Sequence, residues 1–204
     1  GFVSCRSCGY VVKCPHCDVS LSAHRNGKLI CHYCGYEEPM IKVCPSCGSR
    51  HVGGFKAGTQ QIEDLVKREF PEARVLRMDM DTTSKKGMHE KIITDFGEHK
   101  YDILLGTQMI AKGLDFPLVT LVGVINADSS LNVPDFRSAE VTFGLLSQVS
   151  GRAGRSDLAG EVVIQSYNPE HYSIVYAKRH DYYSFYKEEM SVRKTLSYPP
   201  YYYI

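Results

Sequence analysis

No tryptophan occurs in these 204 residues, and no cysteine occurs after position 47. The chain lacks an apolar run long enough to cross a bilayer, and its N-terminus lacks the charged-then-apolar pattern of a secretory signal. An excess of one charge is missing too: 24 Lys and Arg stand against 23 Asp and Glu. These absences argue against a membrane partner and against nucleic-acid binding driven by bulk charge, so any such binding must rest on local sites. With 43% apolar residues a real core is affordable, and the expectation is a soluble cytoplasmic protein.

What is present is a block of eight cysteines at 5, 8, 14, 17, 31, 34, 44 and 47, each in a Cys-x-x-Cys pair. That spacing lets two thiolates converge on one tetrahedral metal from a single tight turn. An even count also fits a disulfide scaffold, but disulfides do not call for four copies of one spacing. Ferredoxin-type iron–sulfur runs are spaced differently. The pattern therefore predicts two structural Zn²⁺ ions, each held by four thiolates, in a reducing compartment. Four thiolates leave no position for water, so these metals do no chemistry. His16 and His32 lie inside the pairs and are read as surface residues. The metals also change the charge: two Zn²⁺ with eight thiolates bring the slightly basic first 56 residues to near neutrality and the whole chain to about −3.

An internal repeat guides the pairing. Cys5-Arg6-Ser7-Cys8-Gly9-Tyr10 is echoed by Cys31-His32-Tyr33-Cys34-Gly35-Tyr36, and Cys14-Pro15-His16-Cys17 by Cys44-Pro45-Ser46-Cys47. Glycine after the second cysteine permits a positive φ where the chain leaves the metal. Sequential pairing would close a site across only residues 9–13, and interleaved pairing would put like knuckles together. Nested pairing gives each metal one knuckle of each type. It also lets a hairpin turning at Asn26-Gly27 close the inner site locally. Nested pairing is favoured: Cys5, Cys8, Cys44 and Cys47 on one zinc, Cys14, Cys17, Cys31 and Cys34 on the other.

From about residue 54 strands and helices alternate. Residues 59–70 read as an amphipathic helix with Ile62, Leu65, Val66 and Phe70 on one face, and 74–78 as a strand. Residues 89–96 and 141–149 read as helices, 102–105 and 119–125 as buried parallel strands, and 161–166 as another strand. Residues 170–194 read as one Tyr-dense helix ended at Tyr198-Pro199-Pro200-Tyr201, with Tyr182, Tyr183, Phe185 and Tyr186 expected in the core. The fold class is α/β, a parallel sheet with helices on both faces and a small irregular two-zinc module. The expected division is 1–53 for the module, 54–180 for the α/β lobe, and 181–204 for the start of a further element.

Three motifs fall where open α/β sheets place ligands, beyond the carboxyl ends of strands. Gly58-Thr59-Gln60 opens a helix, where Thr59 either caps the backbone or meets an anion. Gly106-Thr107-Gln108, continuing through Lys112-Gly113-Leu114-Asp115-Phe116, offers a hydroxyl, an amide and an ammonium suited to a sugar–phosphate backbone. Gln148-Val149-Ser150-Gly151-Arg152-Ala153-Gly154-Arg155 sends two arginines out of a helix together, matching bidentate recognition of phosphate.

The second and third motifs, about 30 residues apart, resemble motifs V and VI of superfamily 2 helicases. With the eight-cysteine block before them, they resemble the replication-restart family of primosomal protein N′, the PriA helicases, over essentially the whole chain. The nested zinc pairing is also that family's arrangement. The resemblance implies a RecA-like second motor lobe carrying a zinc module, within an ATP-dependent 3′→5′ DNA helicase of bacterial cytoplasm and nucleoid. Such a helicase recognises forks, D-loops and single strand, and works with primosome proteins and single-stranded-DNA-binding protein. Carried onto this chain, Thr107, Gln108 and Lys112 would face DNA, and Gly113 and Asp115 the ribose of ATP. Gln148, Arg152 and Arg155 would face its phosphates, with Arg155 as arginine finger.

The sequence departs from that family in one respect. It has no Gly-x-x-x-x-Gly-Lys-Ser/Thr loop and no Asp-Glu pair to hold Mg²⁺, parts that belong to a first motor lobe. The expectation is a fragment that hydrolyses no ATP alone. Two rivals are a zinc-stapled protein- or DNA-binding module without motor activity, and a different superfamily 2 translocase.

Overall fold

The computed structural model describes residues 2–24, 26–54, 58–111, 116–151 and 159–202. In chain order the strands of the cysteine block are β1 (Val3–Cys5), β2 (Ser22–Ala23), β3 (Lys28–Ile30), β4 (Glu37–Pro39) and β5 (Val52–Gly54). After them come α1 (Thr59–Glu69), β6 (Val75–Met78), α2 (Met88–Gly97), β7 (Ile103–Gly106), a 3-10 turn (Gln108–Ala111) and β8 (Leu121–Val124). The last elements are α3 (Asp128–Leu131), α4 (Ser138–Ser150), β9 (Glu161–Ile164), α5 (Tyr172–Lys178) and α6 (Tyr182–Thr195). They form two compact units, one of Gly1–Phe55, Leu121–Ser150 and Glu161–Ile204, the other of Lys56–Thr120 and Gly151–Gly160.

In the first unit β1 pairs antiparallel with β5, and β2, β3 and β4 form an antiparallel sheet. The expected hairpin is present: Gly27, at φ +75°, joins β2 to β3, and the Asn26 amide oxygen accepts from the Lys28 N–H at 3.2 Å. Val3, Val12, Val19, Leu21 and Leu29 fill the small core beneath these strands. Elsewhere in the unit β8 and β9 form a parallel ladder, Leu121 opposite Glu161 through Val124 opposite Ile164. α4 packs on α5 and α6 through Phe143, Leu146, Ile174, Ala177 and Phe185, with the rings of Phe143 and Phe185 stacked at 4.1 Å.

The single helix expected over 170–194 is two, α5 and α6. His180 adopts a positive φ of 54°, and the Asp181 carboxylate accepts from the Ser184 N–H, capping a new helix. Such an Asx cap competes with continuation of the preceding helix. The expected Tyr-rich core is also corrected. Phe185 is buried, but Tyr182, Tyr183 and Tyr186 are exposed. The inward stripe of α6 runs through Phe185 and Glu189, four residues apart, which turns those three tyrosines away.

In the second unit β6 and β7 form a parallel ladder, Val75 opposite Ile103 through Met78 opposite Gly106. Met78 and Ile92 are its buried centre, with Leu76, Leu104, Ile110 and Phe116 packed around them. The apolar face expected of α1 is only partly covered, since Leu65 and Phe70 are exposed. The parallel α/β lobe and the irregular cysteine-rich module read from the sequence are thus both present.

Candidate metal centres and motif loops

All four Cys-x-x-Cys turns share one backbone geometry. The residue after the second cysteine donates its N–H to the first cysteine's carbonyl, in Gly9→Cys5, Asp18→Cys14, Gly35→Cys31 and Gly48→Cys44, at 2.9–3.0 Å. Each of those four residues has a positive φ, three of them glycine and the fourth Asp18 at 54°. Aspartate is among the few side chains that tolerate this region. The repeat seen in the sequence is therefore a repeat of hydrogen bonding, extended to the two proline-bearing turns.

These turns bring together the two quartets of the nested pairing: Cys5, Cys8, Cys44 and Cys47, and Cys14, Cys17, Cys31 and Cys34. Within each quartet every sulfur lies within 4.8 Å of the others. Three measured separations are 3.6 Å for Cys5–Cys47, 3.7 Å for Cys8–Cys44 and 3.5 Å for Cys14–Cys34. Sulfurs bound at about 2.3 Å to one tetrahedral zinc stand about 3.8 Å apart, so both quartets fit that ion. All eight cysteines are free thiols. Each quartet could hold one zinc with its coordination complete, where the ion would cross-link distant turns.

The thiols already differ in acidity. Burial opposes ionisation of Cys5, yet the Cys8 and Ser7 N–H groups and its thiol neighbours bring it down to about 6. The Tyr36 N–H lowers Cys34. The Ser49 N–H favours ionisation of Cys47, yet hydrogen bonds with the neighbouring thiols and burial push it up to about 12. Burial, the hydrogen bond with Cys34 and the charge of Cys31 raise Cys17. A divalent ion binds thiolates and displaces their protons, so its affinity must fall as the pH falls.

Two aromatic contacts, which local spacing could not reveal, tie the module to the rest of its unit. The Tyr167 hydroxyl donates to the Arg6 carbonyl at 2.9 Å, and a Cβ on Gly9 would overlap the Tyr167 ring. The Asp128 carboxylate fixes the backbone there, accepting from the Tyr167 N–H at 3.0 Å. At the inner quartet the Tyr198 hydroxyl donates to the Cys17 carbonyl. The Tyr198 ring stacks on Phe136 at 5.0 Å, and both meet Tyr33 edge-on. The module residues Arg6, Cys17 and Tyr33 each lie more than 100 positions from their hydrogen-bond partners Tyr167, Tyr198 and Phe136.

The motif loops are placed as follows. Gly58, not Thr59, caps α1, and no side chain caps that end. Thr59 instead donates its hydroxyl to Asp79, a buried carboxylate that also accepts from the Thr82 N–H. Burial opposes ionisation of Asp79, but those donors and Arg77 hold it below the usual carboxylate range. Gly106 ends β7 where a Cβ would overlap the Met78 carbonyl, so the two strands approach closely only with glycine there. Thr107 and Gln108 follow, both exposed. Gln148 is exposed near the end of α4. That helix is anchored by Glu140 to Arg193 at 2.7 Å, and Arg193 in turn pairs with the buried Glu189 at 2.7 Å. Lys112, Gly113, Asp115, Arg152 and Arg155 lie outside the described residues.

Residues 49–157 match the helicase conserved C-terminal domain. The chain belongs to that helicase family. Residues 14–39, which contain the whole inner quartet, match the PriA DNA helicase Cys-rich region domain. The chain is 62% identical over all 204 residues to replication restart protein PriA of Bacillus subtilis, 25% of whose length it covers. It is 51% identical over 98% of its length to replication restart protein PriA of Synechocystis, again covering 25% of the relative, and 48% identical to that of Chlamydia trachomatis, covering 27%. The chain thus spans about a quarter of the curated relatives it matches, and the resemblance read from its motifs is borne out. A PriA-type cysteine block joined to a helicase domain fits neither a stand-alone zinc module nor an unrelated translocase.

Proposed function

We propose that the chain supplies the zinc module and second RecA-like motor lobe of an ATP-dependent 3′→5′ DNA helicase, which recognises stalled forks and D-loops and starts primosome assembly. The observation that carries this reading is the joining, in one chain, of a PriA-type cysteine-rich match to a helicase C-terminal match. Thr107, Gln108 and Lys112 grip the DNA backbone, the first two exposed beyond a parallel strand as such contacts require. Gln148, Gly113 and Asp115 contribute to the ATP site. Arg152 and Arg155 meet the nucleotide phosphates, with Arg155 stabilising the departing γ-phosphate. ATP and Mg²⁺ are bound chiefly by a first lobe, so the present chain alone turns over no ATP. Both quartets carry zinc and stiffen the module. Primosome proteins and single-stranded-DNA-binding protein are the partners, in bacterial cytoplasm at the nucleoid. No described helix is long and apolar enough to cross a membrane.

The test is Arg155→Ala in the full-length protein. ATP turnover should fall by roughly 10³-fold or more, as for other arginine fingers, while affinity for forked DNA is kept. Unchanged turnover overturns the assignment.

A further inference from the structure

Two imidazoles of the cysteine block stand outside both quartets and meet each other. His24 lies on the β2 side of the hairpin, and His32 sits between Cys31 and Cys34. Both are exposed, with ring centroids 5.2 Å apart, planes tilted by 56°, and Nε2 atoms 3.4 Å apart. A hydrogen bond from a ring N–H is ordinarily shorter, about 2.7–3.2 Å. Two nitrogens bound at about 2.0–2.1 Å to one tetrahedral metal stand about 3.3–3.4 Å apart, and the pair has that separation. Both rings are mounted on fixed backbone. The His24 N–H donates to the Lys28 carbonyl at 2.9 Å, and the turn carrying His32 is closed by Cys31 N–H to Tyr36 carbonyl at 2.9 Å. The site is therefore organised before any ion arrives.

We propose that His24 and His32 form a two-imidazole site for an exchangeable divalent transition-metal ion of the zinc class, separate from the two cysteine quartets. Imidazole is a favoured donor for such ions, whereas hard oxygen-seeking cations avoid it. With two protein ligands the remaining positions go to water, so this ion exchanges while the quartet ions stay. Neighbouring His32, the thiols of Cys31 and Cys34 belong to the inner quartet, which puts the exchangeable ion beside a closed site.

The experiment loads the chain with zinc, removes weakly held metal by gel filtration, and titrates ZnCl₂ calorimetrically. The wild-type chain should bind one further ion. His24→Asn and His32→Asn should each weaken that event by roughly tenfold or more, the scale on which even supporting partners of metal ligands act. His16→Asn, an imidazole in another turn, should leave it unchanged. Zinc content after filtration reports whether the quartets survive in each variant. Should His32→Asn disturb the inner quartet, His24→Asn decides alone, because it lies outside every Cys-x-x-Cys turn. No further ion on the wild type, or undiminished binding by His24→Asn, overturns the site and leaves a long imidazole–imidazole contact.

Discussion

The cysteine module and the β6–β7 region are specified by opposite means. The module's strands are two or three residues long, too short to persist without other support. Its architecture rests on eight thiols, four repeated turns and a core built around Val3, Leu21 and Leu29. The β6–β7 region has no such points. It rests on a parallel ladder of two short, largely apolar strands, and on Met78 and Ile92 beneath it. In one region the information is concentrated in a few ligands; in the other it is spread over a pattern. Concentrated information should fail all at once, and distributed information by degrees.

Metal removal should break the comparison open most widely. Apparent zinc-binding energies of structural sites are about 10–16 kcal/mol at neutral pH, more than so small a module can hold in reserve. Stripping both ions with a chelator should therefore abolish hydrogen-exchange protection across residues 2–54, while amides of β6 and β7 keep theirs. Cys44→Ser should release the outer ion first and leave the inner quartet filled. Persistence of module protection at zero metal content would show that the core, and not the ligands, specifies the fold.

That contrast also explains what the sequence disclosed. The quartets were legible because ligand spacing is local and each turn repeats one motif. Parallel strands were legible as short apolar runs and helices through their period, to within a residue or two at β6, β7 and α2. The break between α5 and α6 was not, because the positive φ of His180 and the Asp181 cap are small local choices inside a helical period. For Thr59 the sequence left a cap and an anion contact open, and its actual partner was not legible because Asp79 lies 20 residues away. The contacts of Tyr167 and Tyr198 left no trace in spacing, since each joins residues more than 160 positions apart.

The two cores can be compared directly by truncation. Leu29→Ala and Met78→Ala each remove a side chain with no solvent exposure, and such changes cost about 2–5 kcal/mol. The Leu29 site is hemmed in by rigid turns and should relax little, giving a cost near about 4 kcal/mol in the zinc-loaded protein. The Met78 site is bounded by Leu76, Ile92, Leu104 and Ile110, aliphatic side chains that can shift into the space, and should lie nearer about 2 kcal/mol. Denaturant-dependent exchange at β3 and β6 would read both, and a larger loss at Met78 would reverse the ranking.

Acid should act on the first unit through His171, whose Nδ1 accepts from the Ser173 N–H at 3.2 Å and caps α5. Burial lowers its pKa to about 4; Lys13 adds to this, while Glu188 and Asp128 oppose it. The unfolded chain takes up the proton near pH 6.5 and the folded one only near 4. The stabilisation is therefore complete above about pH 6.5 and lost as pH falls toward 4, by up to about 3 kcal/mol. Because acid also loosens the quartets, the measurement is the difference between wild type and His171→Asn, which keeps a capping side chain. A difference that stays flat across that window would remove His171 as the cause.

The smallest expected effect tests whether the aromatic contact at the inner quartet works by packing or by its hydrogen bond. Tyr198→Phe keeps the stack on Phe136 and the edge contact with Tyr33, and removes only the donor to the Cys17 carbonyl. A neutral hydrogen bond contributes about 1 kcal/mol net, and somewhat more if its acceptor is left without a partner. Tyr198→Ala removes the buried ring as well and should cost about 3–5 kcal/mol. If packing dominates, the Phe variant keeps protection at Asp18 and Val19 close to wild type while the Ala variant loses it. Equal losses in the two variants would place the attachment in a single hydrogen bond, making this end of the module depend on point contacts as its metal sites do.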